Sequence, residues 1–268
     1  MRVRANSIRW PSIVAFCLVF GMPAHAATAY FTAVGTATSG AGSSGPVSVG
    51  ITFVTLQDEV QITIHNYIVG ASKDVQALSS VDFVLSGGQT TGLIMSQTGL
   101  VRTISSTGTW AAGDTAGGRP ANFSDASYHG AWKVQAGGGL VNPLANSIDL
   151  TAFSGSSPSL TIFGASTGTS ANCCYNAYGN PNNAVTKHNP YLATDGQDVV
   201  FLLSVAGVRA NTTIGNVRAF FGTDRTAYLT GVNSVPEANT CSMVGAGFLA
   251  LGLRWARRRR VNRKGPNA

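Results

Sequence analysis

Val60-Gln-Ile-Thr-Ile-His65 decides how the middle of this chain is read. Val60, Ile62 and Ile64 fall on one side of an extended backbone, and Gln61, Thr63 and His65 on the other. That is the period-two alternation of a strand with one buried face. Just upstream, Ile51 and Phe53 alternate in the same way, and Gln57-Asp58-Glu59 reads as a hairpin loop between them. Further strands are predicted over 81–86, 101–105, 147–153, 159–163, 199–208 and 213–221. The run from Val199 to Val205 is apolar almost throughout, as in a strand covered on both faces. Glycine-rich breaks at 40–46, 87–88, 117–118, 137–139 and 179–183 separate these runs. Only Ala131–Gln135 offers the start of a helix, and Gly137 to Gly139 would end it. Short strands and glycine turns without helical alternation predict an all-β body, an antiparallel β-sandwich of jelly-roll-like type.

The composition agrees. Of 268 residues, 44% are hydrophobic, 32 are glycine and only 11% are charged, against about 25% charged in an average soluble domain. The net charge of +7 is unevenly placed: ten of the eighteen basic residues lie at the two ends. Between Ala27 and Asn233 there are eight basic and ten acidic residues, a formal charge of −2. A body without basic excess lacks the electrostatic footprint of a nucleic-acid binder.

The ends carry their own pattern. Arg2, Arg4 and Arg9 precede a short apolar run from Ile13 to Phe20, then Gly21, Pro23 and Ala24-His25-Ala26. Charge, a short apolar core and a small-x-small site make a secretory signal peptide over 1–26, cleaved after Ala26 so that the mature chain begins at Ala27. Cys17 sits mid-run between Phe16 and Leu18, away from a lipoprotein cleavage position.

Residues 234–260 form the other signal. Val235-Pro236-Glu237-Ala238 leads into an apolar, glycine-rich run from Cys241 to Leu253, then Arg254, Trp255 and Arg257-Arg258-Arg259-Arg260. The run is shorter than the about 20 residues of a full membrane span, but arginines can snorkel, and would stay cytoplasmic. A polar tail, 261–268, follows. This arrangement resembles the PEP-CTERM sorting signal of Gram-negative bacteria: a Pro-Glu-Pro motif, a short transmembrane helix and an arginine cluster. Ala238 stands where that family has its second proline. The resemblance implies cutting at the Pro-Glu motif by an exosortase-like protease, after export and transient anchoring in the inner membrane. The body would then reach the cell surface or the extracellular matrix of a biofilm, with exopolysaccharide as a partner. His188-Asn-Pro-Tyr-Leu, two strands and Phe221-Gly-Thr223 also look like the close of the body domain in such proteins.

Within the body, motifs of catalysis are not evident. Gly42-Ser43-Ser44-Gly45 lacks the spacing of a nucleophile elbow, and no Gly-x-x-x-x-Gly-Lys loop occurs. His65, His129 and His188 are far apart in sequence, so neither a metal nor a cofactor is expected. Asp195-Gly196-Gln197-Asp198 reads as a turn into the next strand more readily than as a calcium loop. Cys173 and Cys174 are adjacent in a Tyr/Asn/Gly-rich stretch. They read as a vicinal disulfide or as two free or intermolecular thiols; without a nearby histidine they make a poor zinc set. Among the aromatics, Trp110 and Trp132 are candidates for sugar stacking, or for plain burial in the sandwich. The reading is a non-enzymatic exported surface or matrix protein, with a carbohydrate-binding module and then a secreted hydrolase as alternatives. Mass spectrometry of the protein from its host is expected to find a mature form that starts at Ala27 and lacks Arg257–Arg260. Recovery of surface-fraction peptides running from Glu237 into Arg254 would contradict it.

Overall fold

The alternation over 60–65 sits in a 59–66 strand whose burial alternates without a break. A computed structural model describes residues 26–234 apart from 41, 105–109, 113–121, 137–143, 154–157, 166–182, 188–189, 195–196 and 224. In chain order the strands are β1 (Ala27–Thr38), β2 (Ser44–Leu56), β3 (Glu59–Asn66), β4 (Leu78–Leu85), β5 (Leu93–Thr98), β6 (Leu100–Ile104), β7 (Trp110–Ala112) and β8 (Lys133–Ala136). Then come β9 (Ser147–Thr151), β10 (Ile162–Phe163), a single helical turn α1 (Asn183–Lys187), β11 (Tyr191–Ala193), β12 (Val199–Ser204), β13 (Ile214–Phe221), β14 (Tyr228–Thr230) and β15 (Val232–Ser234). The chain is all-β. Among the described residues, no helix is long and apolar enough to cross a membrane. Apart from their border residues Ala26 and Ser234, both sorting segments, and with them Ala24, Val235, Pro236, Glu237 and Arg257–Arg260, lie outside the described residues, as do Cys173 and Cys174.

Two sheets form. The first runs β15-β1-β2-β3-β12-β5, and the second β14-β13-β4-β10-β11-β6-β7, with β9 between β4 and β8. Every described strand pairing is antiparallel except β10–β11, which is parallel. β1 begins at Ala27, where the mature chain is expected to begin, and its amide donates to the Ala210 carbonyl at 2.7 Å. β15 returns antiparallel beside it, with Tyr30 opposite Ser234 and Thr32 opposite Val232. The β2–β3 hairpin turns through Gln57 and Asp58. Asp58 has a φ of 57°, a left-handed conformation that aspartate tolerates better than most residues. Its carboxylate accepts the Gly207 amide at 2.8 Å.

The inner faces of both sheets enclose one core. Phe31, Phe53, Ile62 and Phe201 from the first sheet meet Phe83, Leu150 and Val217 from the second, all at most 3% exposed. Phe53 is the hub: its ring lies 5.7 Å from Phe31, edge-on, and 5.0 Å from Phe83.

Two local expectations are corrected. β12 is buried on one face only, since Val200, Leu202 and Ser204 are half-exposed. Its outward apolar side chains spread over an open sheet surface instead of entering a second core. Residues 133–136 form a strand, not a helix, because they pair with β9.

The sheets join at a polar corner. Asn66, 1% exposed, ends β3. Its Nδ2 donates to the carbonyls of Gln76 and Ile162, and its Oδ1 accepts the Ile68 amide at 3.1 Å. Thr194 Oγ1 donates to the Asn66 carbonyl at 2.9 Å. The backbone here is so close to the second sheet that a Cβ on Gly164 would sit 1.8 Å from the Ile68 carbonyl oxygen. Gly164→Ala is therefore expected to cost several kcal/mol, at the upper end of single-residue effects, because only backbone could move to make room. A thermal melt of the Gly164→Ala protein within a degree or two of wild type would contradict this.

Candidate functional site

The outward side chains of the first sheet form a surface built from β-branched and hydroxyl residues. The register places Tyr30, Thr52, Thr63, Val200 and Thr98 in one row across five strands. At the strand spacing of about 4.8 Å that row is roughly 19 Å long. The next row contains Thr32, Gly50 and His65.

Gly50 is the bare point of this surface, and the tyrosines use it. A Cβ there would lie 2.8 Å from the hydroxyls of both Tyr30 and Tyr67. The two hydroxyls are hydrogen-bonded to each other at 3.1 Å directly over the glycine. Tyr67 follows the pinned Asn66, so alternation turns it outward, and it is 48% exposed. Its ring packs beside His65, centroids 4.5 Å apart. His65 Nδ1 faces the Asp198 carboxylate at 2.7 Å. A carboxylate only accepts, so Nδ1 carries the hydrogen and Nε2 is the ring's remaining polar atom. The hydrogen bond to Tyr30, helped by partial burial and the nearby acid, pushes the Tyr67 hydroxyl pKa up to about 12. The Tyr67 hydroxyl therefore stays protonated across the physiological range.

Charge is the other property. The six strands of this sheet contain neither lysine nor arginine, and Glu59 is their one acid. The second sheet has Asp82, Arg102, Lys133, Asp149 and Arg218 on its strands.

A cleft of ≈ 430 Å³ opens beside the edge strand β5. It is lined by Met95, Ser96 and Thr98 from that strand, Ser124, His129 and Gly130 from the 122–130 loop, and the edge of Trp132. Trp132 itself is 1% exposed. Its Nε1 donates to the Leu160 carbonyl at 2.8 Å, at a residue held in the left-handed region with φ 53°. Its ring lies 5.1 Å from Phe201. Trp132 is thus a core and anchoring residue, and the expectation that it stacks on a sugar is corrected: neither of its ring faces is open. The backbone of Trp110 pairs with Ile104 in β7; its side chain lies outside the described residues. His65 and His129 fall on different elements, as their spacing implies, and Asp198 turns to His65 while Asp195 lies outside the described residues. Among the described residues no group of three or more His, Cys, Asp or Glu side chains is placed to hold a metal.

Among the described residues a pair of carboxylates does face each other, but not in a cleft. Asp82 and Asp149 are directly opposite on β4 and β9, 0% and 1% exposed. Leu144 N–H donates to Asp82 Oδ2 at 3.3 Å, and the Ser80 hydroxyl donates to Asp149. Asp82 Oδ1 has no hydrogen-bond partner. Burial raises both pKa values, that of Asp149 to about 6, and the neighbouring Asp82 adds to that rise.

The chain matches no protein-family model, and neither the curated proteins nor the solved structures contain a significant relative. The tyrosine pair over Gly50 was not among the sequence candidates. The one available signal was a glycine inside a strongly alternating strand, which marks a close approach of another group.

The raised Asp149 pKa has a pH consequence. The unfolded chain loses that proton near the ordinary 3.8, while the folded chain keeps it to about 6. Stability from this group is therefore full below 3.8 and falls as pH rises through that window, by a few kcal/mol in all at about 1.4 kcal/mol per pH unit. Asp149→Asn is expected to melt higher than wild type at pH 7.5, with the difference shrinking towards pH 4. An equal or lower melting temperature at pH 7.5 would refute the assignment.

Proposed function

We propose that this is an exported surface or extracellular-matrix protein whose body is a non-catalytic contact module, delivered by its two end signals. The body is read as a jelly-roll-like β-sandwich. The observation that carries the reading is the open, cation-free face of the first sheet. A sheet face with so little charge and so many half-exposed valine, leucine and threonine side chains suits a contact surface, not solvent alone. The charge partition in the sequence supports the same view, because the cations concentrate in the segments read by export machinery. A hydrolase would need its two carboxylates across an accessible cleft, whereas Asp82 and Asp149 are sealed from solvent.

The delivery half of this reading rests on Pro236, Glu237 and the arginine block. With Glu237→Ala, or with Arg257–Arg260 all changed to alanine, the host is expected to retain an uncut precursor in the inner-membrane fraction and to lose the surface form. Immunoblots of fractionated cells read this directly. Unchanged surface abundance in both variants would remove the sorting assignment, and full-length protein in the cytosol would remove export altogether.

A further inference from the structure

The open sheet face has a chemistry specific enough to name its partner. Two aromatic rings meet hydroxyl to hydroxyl over Gly50, at a level set by the missing Cβ. Beside them a row of Thr52, Thr63 and Thr98 carries short hydroxyls across the sheet. His65 and Asp198 form a hydrogen-bonded pair at its border, side chains 33% and 45% exposed. A ligand that fits must offer apolar C–H faces to the rings and many hydroxyl groups to the threonines, histidine and carboxylate.

Charge complementarity then excludes the alternatives. An acidic polysaccharide or a nucleic acid needs cations, and these six strands have none. A cationic partner would find Asp198, already paired with His65, and at the hairpin end of the sheet Glu59 and Asp58, the latter accepting the Gly207 amide. A neutral, polyhydroxylated chain meets no repulsion there, and along the Thr52–Thr63 row it meets no charge.

We infer that the outer face of the first sheet binds a neutral polysaccharide, with Tyr67 and Tyr30 as its aromatic platform and the Thr52–Thr63 row as its polar track. This rests on the reading of the body as a contact module outside the cell, and it adds the partner's class.

The test is affinity electrophoresis of the mature protein from its host. Native gels would contain dextran, a mixed-linkage β-glucan or a galactomannan, with alginate as the anionic probe. At least one neutral polymer is expected to retard the wild type and alginate is not. Tyr67→Ala is expected to weaken retardation at least tenfold. Thr63→Lys, which puts a long cation in the middle of the track, should do the same, and both variants should melt like wild type because the sites are at the surface. The inference falls if no neutral polymer retards the protein, if alginate does so as strongly, or if both variants bind normally. It also falls if light scattering shows a dimer that Thr63→Lys dissociates, since a second copy would then own the face. None of these results touches delivery: a protein correctly trimmed and found at the surface, yet unretarded, loses the polysaccharide and keeps the export reading.

Discussion

The buried amide of Asn66 governs how this molecule is put together. A carboxamide with no access to water must find hydrogen-bond partners or lose a large part of a protein's net stability. Asn66 finds three, and two of them are carbonyls of the second sheet and of the turn leading into it. The chain is thereby tied across the two sheets where it leaves the first. The register of β3 is fixed by the same contact, because a shift of one residue would put the amide in solvent and Ile62 and Ile64 outside the core. Tyr67, one position on, is left on the outer side above Gly50. Fold and surface site are thus two results of one anchored residue.

The two sheets divide the labour electrostatically. The second carries the ionic residues and hides two acids against each other, a costly arrangement moderated by Ser80, by the Leu144 amide and by the more distant charges of Arg218, Arg225 and Lys133. The first sheet carries almost none. Its outer surface therefore offers shape, aromatic rings and neutral hydrogen-bonding groups, whose contacts ionic strength would hardly screen.

Much of the scaffold was legible in the residues. The 60–65 alternation gave the right strand and face, and the segments around 81, 147 and 213 were placed to within a few residues. β1 was harder. Ala29, Ala33, Gly35 and Ala37 are too small to stand out against the threonines between them, and its partner β2 supplies most of the apolar signal. β12 misled for the opposite reason, because Val200 and Leu202 are apolar yet face outward. The site was less legible still. Gly50, Tyr30 and Tyr67 meet through register alone, and Trp132 looked available until its indole N–H proved committed to Leu160. Two tryptophans attract attention in a sequence, but two tyrosines brought together by a bare glycine do not.

The pairing of β1 with β15 bears on how the body stands in its setting. The first strand rises from Ala27 and the last described strand descends to Ser234 alongside it. The two described ends of the body thus lie at one pole of one sheet edge. On the delivery proposed above, a body held from beyond Ser234 would hang from that pole, with the opposite pole farthest from the mooring. A cut beyond Ser234 leaves every described strand and its hydrogen-bond ladder whole.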